Sequence, residues 1–470
     1  MLAPEIHASF FRNRSAELTQ LEDVWSLPRA QLLTLWGRRR VGKSALLGKF
    51  ASNRRGLYIY GTRLAERTVL QSVATQAAAV FDDPYLREAP FPTWESALDY
   101  TVERARSDRS VLILDELPYL CQVSPGLDTL LQRWWDQHAR SSNLMVVLAG
   151  SAFSFMHGLT GATGALHGRR TSQLEVHPFN YTDAALFFPE LAPVDRIRAY
   201  ACFGGIPAYL EHWISGASLK ENLHATMLQP GHTLFREAEE LLRTEFHQEA
   251  LYASILRAVS MGHGRPSDIA QAAGKRSAND VAEYLRPLVE LRFLRREVPI
   301  TEQGRPRSHH VLYRLADPYL RFWYRFVQPF QALLQLGRVN DVWARELVPT
   351  LDEFIARTTW EEVCQQHLWL RIARGTLPAD CSAIGRWWDA HSEIDIVGLW
   401  QGRATVIGEC KWSNQSMGMR DLTELQRKAA VLDLADRPLW VLASRTGFTE
   451  ELQMRATGGD VLLLEPGTMF

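Results

Sequence analysis

The chain has 470 residues, a formal net charge of −1, 46% apolar residues and 22% charged residues. That length is too great for one ordinary hydrophobic core, so two to four domains are expected, and the near-zero charge excludes a global pull toward nucleic acid or membrane. No apolar run reaches the roughly 18 residues that span a bilayer, and the five cysteines (Cys121, Cys202, Cys364, Cys381, Cys410) show no C-x-x-C spacing, so a soluble chain without disulfide framework or zinc site is expected.

The N-terminus carries Glu5 and lacks the long apolar stretch of a signal peptide. A cytoplasmic location without a membrane partner follows as the expectation. The first 180 residues alternate short apolar runs with amphipathic stretches, the pattern of a parallel sheet covered by helices. Leu32 to Trp36, Leu57 to Tyr60, Val111 to Leu114 and Met145 to Ala149 read as buried strands. Ala45 to Ser52 and Leu70 to Phe81 read as helices between them.

Between the first strand and the first of these helices lies Gly37-Arg38-Arg39-Arg40-Val41-Gly42-Lys43-Ser44, followed by Ala45. It fits G-x-x-x-x-G-K-[ST] at every fixed position, in the strand–loop–helix context that motif requires. Glycines let the backbone curl so that its N–H groups point at phosphate oxygens, and the following helix presents its positive end to the same place. Lys43 is placed to reach the β- and γ-phosphates of ATP, and Ser44 to hold Mg²⁺. The apolar run Val111 to Leu114 ends in Asp115-Glu116. Asp115 is expected to hold Mg²⁺ through water and Glu116 to orient and deprotonate the attacking water. Ser151, just past the next strand, reads either as a γ-phosphate sensor or as a polar residue of an ordinary loop.

Residues 181–249 read as a mostly helical lid, broken at Gly204-Gly205-Ile206-Pro207. From residue 250 to 330 the layout is that of a winged helix. Ile255 to Val259 starts it. A short helix capped by Ser267 and a longer one after Ser277, possibly kinked at Pro287, follow. Extended stretches Phe293 to Ile300 and His310 to Leu315 then flank a turn at Gly304. Residues 250–326 hold 13 Lys plus Arg against 7 Asp plus Glu. A basic wing of Arg295, Arg296, Arg305 and Arg307 fits DNA phosphates, and packing against protein is the competing reading.

A boundary is expected near 330–345, and residues 345–470 read as a separate small α/β domain. There two strand-like runs, around Asp395 and around Glu409-Cys410-Lys411, join through Gln401-Gly402. On a strand Glu409 and Lys411 share a face. Asp395 joins them if the hairpin loop is odd-membered or a bulge intervenes; a plain two-residue loop turns it away. A solvated hairpin of alternating charges is the other reading.

Several motifs together resemble the archaeal-type ATPases of the STAND class of P-loop NTPases. They are Phe11 to Leu18 (FRNRSAEL), Leu112 to Leu120 (LILDELPYL), Ala149-Gly150-Ser151, Gly168-Arg169-Arg170, Gly204 to Pro207 (GGIP) and Arg314 to Tyr324 (RLADPYLRFWY). The resemblance implies an ATPase core over 1–180, a helical lid, a winged helix and a variable C-terminal domain. It also implies that Arg169 or Arg170 contacts the γ-phosphate, possibly across the interface of a homo-oligomer. The run Asp395…Glu409-x-Lys411, with Glu361 on the preceding helix, resembles the PD-(D/E)XK restriction-endonuclease-like core. That resemblance implies a Mg²⁺ or Mn²⁺ site at Asp395 and Glu409, with Lys411 beside the scissile phosphate. The function expected is an ATP-driven switch whose nucleotide state rearranges lid and winged helix and controls the nuclease-like domain, acting on or with nucleic acid, DNA foremost, through the winged helix and that domain. The alternative is a slow ATPase that binds DNA or serves as a scaffold, with an inactive C-terminal domain.

Overall fold

The computed structural model describes residues 11–470 except 162, 163, 306, 307 and 309, so Glu5 and Arg307 lie outside the described residues. The chain divides into two compact units. One runs up to Pro178 and includes Ile206–Ala208; the other comprises Phe179–Gly205 and Tyr209–Phe470.

The first unit is built on five parallel strands: β1 (Gln31–Trp36), β2 (Gly56–Tyr60), β3 (Ser110–Asp115), β4 (Leu144–Gly150) and β5 (Ser172–Glu175). Their order is β2-β3-β4-β1-β5. Every residue of β3 and β4 is buried, which is why these strands read as unbroken apolar runs rather than alternating ones. Helices such as Lys43–Ala51, Glu66–Val80 and Leu127–Gln137 connect them. One core joins strand residues Leu112, Leu114, Val146 and Leu148 to Trp94, Trp134 and Trp135 of the helices.

The second unit begins with short helices. Glu249–Ser260, Pro266–Ala272 and Asn279–Glu290 then precede an antiparallel pair, β6 (Leu294–Glu297) and β7 (Leu312–Leu315). Ser267 does not cap its helix: Arg265 holds the N-cap position, and the Ser267 hydroxyl donates to Asp268 instead, at 3.0 Å. Pro287 sits inside the third helix, in its last turn. The interval expected to separate domains is itself helical, with Gln331–Gln335, Val339–Val342 and a π-helical turn at Trp343–Leu347.

Helices Val348–Thr358 and Trp360–Ala373 lead into a five-stranded sheet: β8 (Ala383–Trp388), β9 (Glu393–Trp400), β10 (Arg403–Lys411), β11 (Leu434–Ser444) and β12 (Val461–Leu464). The order is β12-β11-β10-β9-β8. The first three strands form an antiparallel meander, whereas β11 and β12 join it in parallel. Parallel neighbours need crossovers, and Met419–Ala429 and Glu450–Ala456 supply them. Ile394, Val397, Ile407 and Leu442 pack against Leu422 and Leu425 of the first crossover helix. Among the described residues, no helix is long and apolar enough to cross a membrane.

Candidate functional site

The segment Gly37–Ser44 leaves the C-terminal end of β1 and enters the helix Lys43–Ala51. Gly37 is required sterically: a Cβ there would lie 2.4 Å from the Val176 carbonyl oxygen. Gly42 takes φ 93°, a left-handed value that strains other residues. Lys43 is buried and folds back, its Nζ donating to the carbonyls of Gly37 (2.9 Å) and Arg38 (3.1 Å). This holds the loop in a curl around the ammonium group. Arg39 donates to the Tyr119 hydroxyl at 2.6 Å. Pro207, from the expected lid motif, lies beside the loop, 3.7 Å from where a Gly42 Cβ would stand.

Arg14 is a loop residue that the sequence reading did not single out. Its buried guanidinium donates to the Val41 carbonyl (2.8 Å), to the His177 carbonyl (2.8 Å) and to Glu17 Oε1 (2.6 Å). It thereby fixes the phosphate loop to the segment after β5. The signal was present in the FRNRSAEL run, where only the resemblance, not charge or spacing, marked it.

Asp115 ends β3 fully buried. Its Oδ2 accepts from the Tyr58 hydroxyl at 2.6 Å and its Oδ1 from the Glu116 amide at 3.0 Å. Burial, and then the adjacent Asp115 carboxylate, push the Tyr58 phenol far above its ordinary range, so it remains a donor. Glu116 adopts a left-handed backbone (φ 51°) and starts the helix Leu117–Val123. Its Oε2 accepts from both the Ser151 hydroxyl (2.9 Å) and the Ser151 amide (3.2 Å). Because β4 lies between β1 and β3, Ser151 stands between the phosphate loop and the carboxylates.

Arg169 is placed otherwise than a contact to its own chain's nucleotide requires. It lies three residues ahead of β5, whose Ser172 pairs with Leu33 near the start of β1. The strands are parallel, so Arg169 lies toward the N-terminal edge of the sheet, whereas the phosphate loop leaves the C-terminal edge. Its guanidinium is engaged by Asp136, with bonds of 2.9 and 2.8 Å.

In the second unit the hairpin between β9 and β10 resolves the face of Asp395. Its loop has two residues, Gln401 (φ 50°) and Gly402 (φ 85°). A register shift follows between Ala404 and Val406, with Thr405 as the extra residue. Without it Asp395 would pair with Gly408. With it Gly408 pairs with Ile396, and Asp395 stands opposite Glu409 on the same face. Asp395 Oδ2 accepts from the Cys410 amide at 2.8 Å.

The helix Trp360–Ala373 is tied to β9 by Gln365, which donates to the Asp395 carbonyl at 2.8 Å. This brings Glu361 toward the same acids. Burial, then Glu361 and Glu409, push the Asp395 carboxyl up to about 8. Each remaining member already has a partner. Arg386 pairs with Glu361 at 2.9 Å, Lys428 with Glu409 at 3.0 Å, and Lys411 with Asp421. Among the described residues, no group of three or more His, Cys, Asp or Glu side chains is arranged to hold a metal ion.

The basic wing is only partly available. Arg295 points inward to Glu362 at 3.0 Å and also pairs with Glu297, whereas Arg296 and Arg305 are exposed. The helix Asn279–Glu290 presents Asp280 and Glu283 to solvent, and its exposed Arg286 is paired with Glu290 at 2.8 Å. Part of the positive excess counted in the sequence is therefore used internally.

Residues 11–213 match a family described as an ATPase domain predominantly from Archaea, and residues 323–425 match one described as archaeal and bacterial proteins of unknown function. An uncharacterised protein of Methanocaldococcus jannaschii is 25% identical over 432 residues, 91% of this chain and 93% of its own length. An uncharacterised ATP-binding protein of the same organism is 49% identical over 45 residues, 10% of this chain and 76% of its own. Among solved structures, the Walker-type ATPase of Pyrococcus abyssi is similar at 22% identity with a TM-score of 0.49, over 69% of this chain and 100% of that one. The phosphate loop, buried Asp115 with half-buried Glu116 beside it, and the match over residues 11–213 define the first unit as a P-loop ATPase domain. It is an ATP-binding domain.

Proposed function

We propose that this chain is a nucleotide-driven switch: MgATP is bound and hydrolysed in the first unit, and the second unit, combining a winged helix with a nuclease-like fold, acts on DNA. The observation that carries the catalytic half is the Ser151–Glu116 bond beside Asp115. It fixes a carboxylate next to the phosphate loop, where a general base must stand to activate water. The donors available for Mg²⁺ are oxygens, the Ser44 hydroxyl and the Asp115 carboxylate, which suits a hard cation that keeps several waters and the nucleotide phosphates as its other ligands. Both Asp115 oxygens already accept hydrogen bonds, which favours contact through water. When bound, Mg²⁺ supplies charge neutralisation on the phosphates. Lys43, released from the loop carbonyls, meets the β- and γ-phosphates, and Glu116 takes the proton of the attacking water. Arg169 acts, in this reading, on the nucleotide of a neighbouring copy.

For the second unit, the meander β8-β9-β10, the flanking helices and the common face of Asp395 and Glu409 support the nuclease-like reading. The pairing of Glu361, Glu409 and Lys411 with Arg386, Lys428 and Asp421 favours a closed state that must open before cleavage. It equally supports a second reading, a DNA-binding or scaffold unit that does not cut. The deciding experiment measures DNA cleavage with Mg²⁺ or Mn²⁺, with and without ATP, for the wild-type chain and for Asp395→Ala and Lys411→Ala. Metal-dependent cleavage lost in both variants, with ATP turnover intact, supports the nuclease. Absence of cleavage in every nucleotide state leaves the scaffold reading.

A further inference from the structure

Outside both sites, the second unit contains a half-open cleft of about 810 Å³ between the helix Glu249–Ser260, the strand β7 and the helix Val348–Thr358. Seven arginines line it, and apart from Arg357 they fall into two sets of three. Those toward Glu297 and Glu362 are each paired with a glutamate. Arg321 pairs with Glu362 at 2.6 Å, Arg295 with both glutamates, and Arg314 with Glu297 at 3.4 Å. The second set is Arg257, Arg265 and Arg325. Among the described residues none of these three has a carboxylate partner, and Arg325 rests against the Phe326 ring at 4.8 Å. Of the two acids of the lining, Glu353 is paired with Arg357 at 2.7 Å, which leaves Asp268, bonded to the neutral Ser267 hydroxyl, as one carboxylate against the three guanidiniums.

Three guanidiniums from three separate segments thus line one hollow against a single carboxylate, Asp268, which leaves a net positive charge. Such an excess raises the local positive potential and favours entry of an anion. The guanidinium fork matches the oxygens of a phosphate better than those of a smaller anion. The volume lies in the range of small-molecule sites, about 300–1,000 Å³. Beside the arginines the wall offers apolar surface, including Met261, which is 69% exposed.

We propose that this cleft binds a phosphorylated small molecule of mononucleotide size, at a site separate from the phosphate loop. The charge supplies the phosphate contacts, and Met261 with Leu312 offers a surface for an attached ring. The proposal does not depend on ATP hydrolysis or on nuclease activity. The same phosphate chemistry also occurs along a nucleic-acid strand, so the test separates the two sources.

The experiment is calorimetric titration of the full-length chain carrying Lys43→Ala, which disables the phosphate loop. The probes are AMP, ATP, inorganic pyrophosphate and a 12-mer DNA duplex. The expected result is saturable, one-to-one binding of a mononucleotide, weakened at least tenfold by Arg257→Ala with Arg265→Ala. Both of those side chains are exposed, so their loss leaves the melting temperature unchanged. Arg286→Ala, an exposed arginine outside the cleft, serves as the control and leaves binding intact. Three outcomes overturn the proposal: no saturable binding of any mononucleotide, binding indifferent to the Arg257 and Arg265 substitutions, or binding of the duplex alone.

Discussion

Ser151 donates both its hydroxyl and its amide to one oxygen of Glu116, so the candidate base is tethered to the strand adjoining the phosphate loop. The tether holds Glu116 toward β4, and hydrolysis requires the same carboxylate to meet a water. Glu116→Gln keeps the shape and the Ser151 contact but accepts no proton. Its kcat should fall by about 10²–10⁴, the usual worth of general base catalysis, with ATP affinity retained within a few-fold. Ser151→Ala should lower kcat more modestly, by roughly tenfold, through loss of orientation rather than of chemistry. Steady-state ATPase assays beside nucleotide-binding titrations check both, and wild-type turnover in Glu116→Gln removes Glu116 from the role of base.

A second expectation concerns Arg14. Its three acceptors lie on three separate segments, and substitution removes the donor to the buried Val41 carbonyl, the half-buried His177 carbonyl and the Glu17 carboxylate. Arg14→Ala should destabilise the first unit by about 2–4 kcal/mol and weaken ATP binding. Arg14→Lys should recover little, because one ammonium cannot reproduce the fork. Denaturant unfolding with and without ATP measures both effects; equal stability of wild type and Arg14→Ala would show that the loop holds itself.

Much of the first unit was legible from residues alone, because buried parallel strands carry their signal as apolar runs and the phosphate loop has fixed glycines. The edge strand β5 was not. Its sequence Ser-Gln-Leu-Glu is polar at three of four positions, and only pairing to β1 makes it a strand. The face of Asp395 was beyond sequence for another reason. It turns on whether Thr405 pairs or bulges out, and the Thr405 hydroxyl is held by the Asp380 carbonyl at 2.7 Å, a contact 25 residues away. The partners Arg386 and Lys428 were invisible for the same cause: nothing local links Arg386 to Glu361. The charge count over 250–326 misled in part, since counting cannot tell the inward-facing Arg295 from the exposed Arg296.

Buried His367 provides a pH test of the second unit. Its Nδ1 meets the Tyr181 hydroxyl at 2.7 Å, and that hydroxyl also donates to the Met469 carbonyl at 2.9 Å. Burial, then Arg371 and Arg374, lower the imidazole to about 4 from an ordinary 6.5. The unfolded chain therefore takes up a proton near 6.5 that the folded chain refuses until about 4. The contribution to stability is complete above 6.5 and is lost as pH falls through this window, by up to about 3 kcal/mol. His367→Gln should flatten that part of the melting-temperature profile between pH 6.5 and 4. A profile of unchanged slope would assign the acid sensitivity to other groups.

Asp395 has the opposite sign and tests the metal reading directly. Its carboxyl is pushed up to about 8 by burial and by Glu361 and Glu409, from an ordinary 3.8. The folded chain thus holds a proton over a range where the unfolded chain has lost it, so this group's contribution to stability declines as pH rises from about 4 to 8. A divalent cation between the carboxylates would favour the ionised form and oppose the decline. Mn²⁺ or Mg²⁺ should therefore raise the melting temperature at pH 8, on the order of 5 °C, and much less at pH 5, where a proton occupies Asp395. Asp395→Asn keeps an oxygen for the Cys410 amide while removing the charge. It should melt higher than wild type at pH 8 without metal, and its response to Mn²⁺ should vanish. A metal response equal in wild type and Asp395→Asn would place the cation elsewhere. No response at any pH would mean that the three acids are held by Arg386 and Lys428 alone, and the nuclease reading of the second unit would then lack its metal.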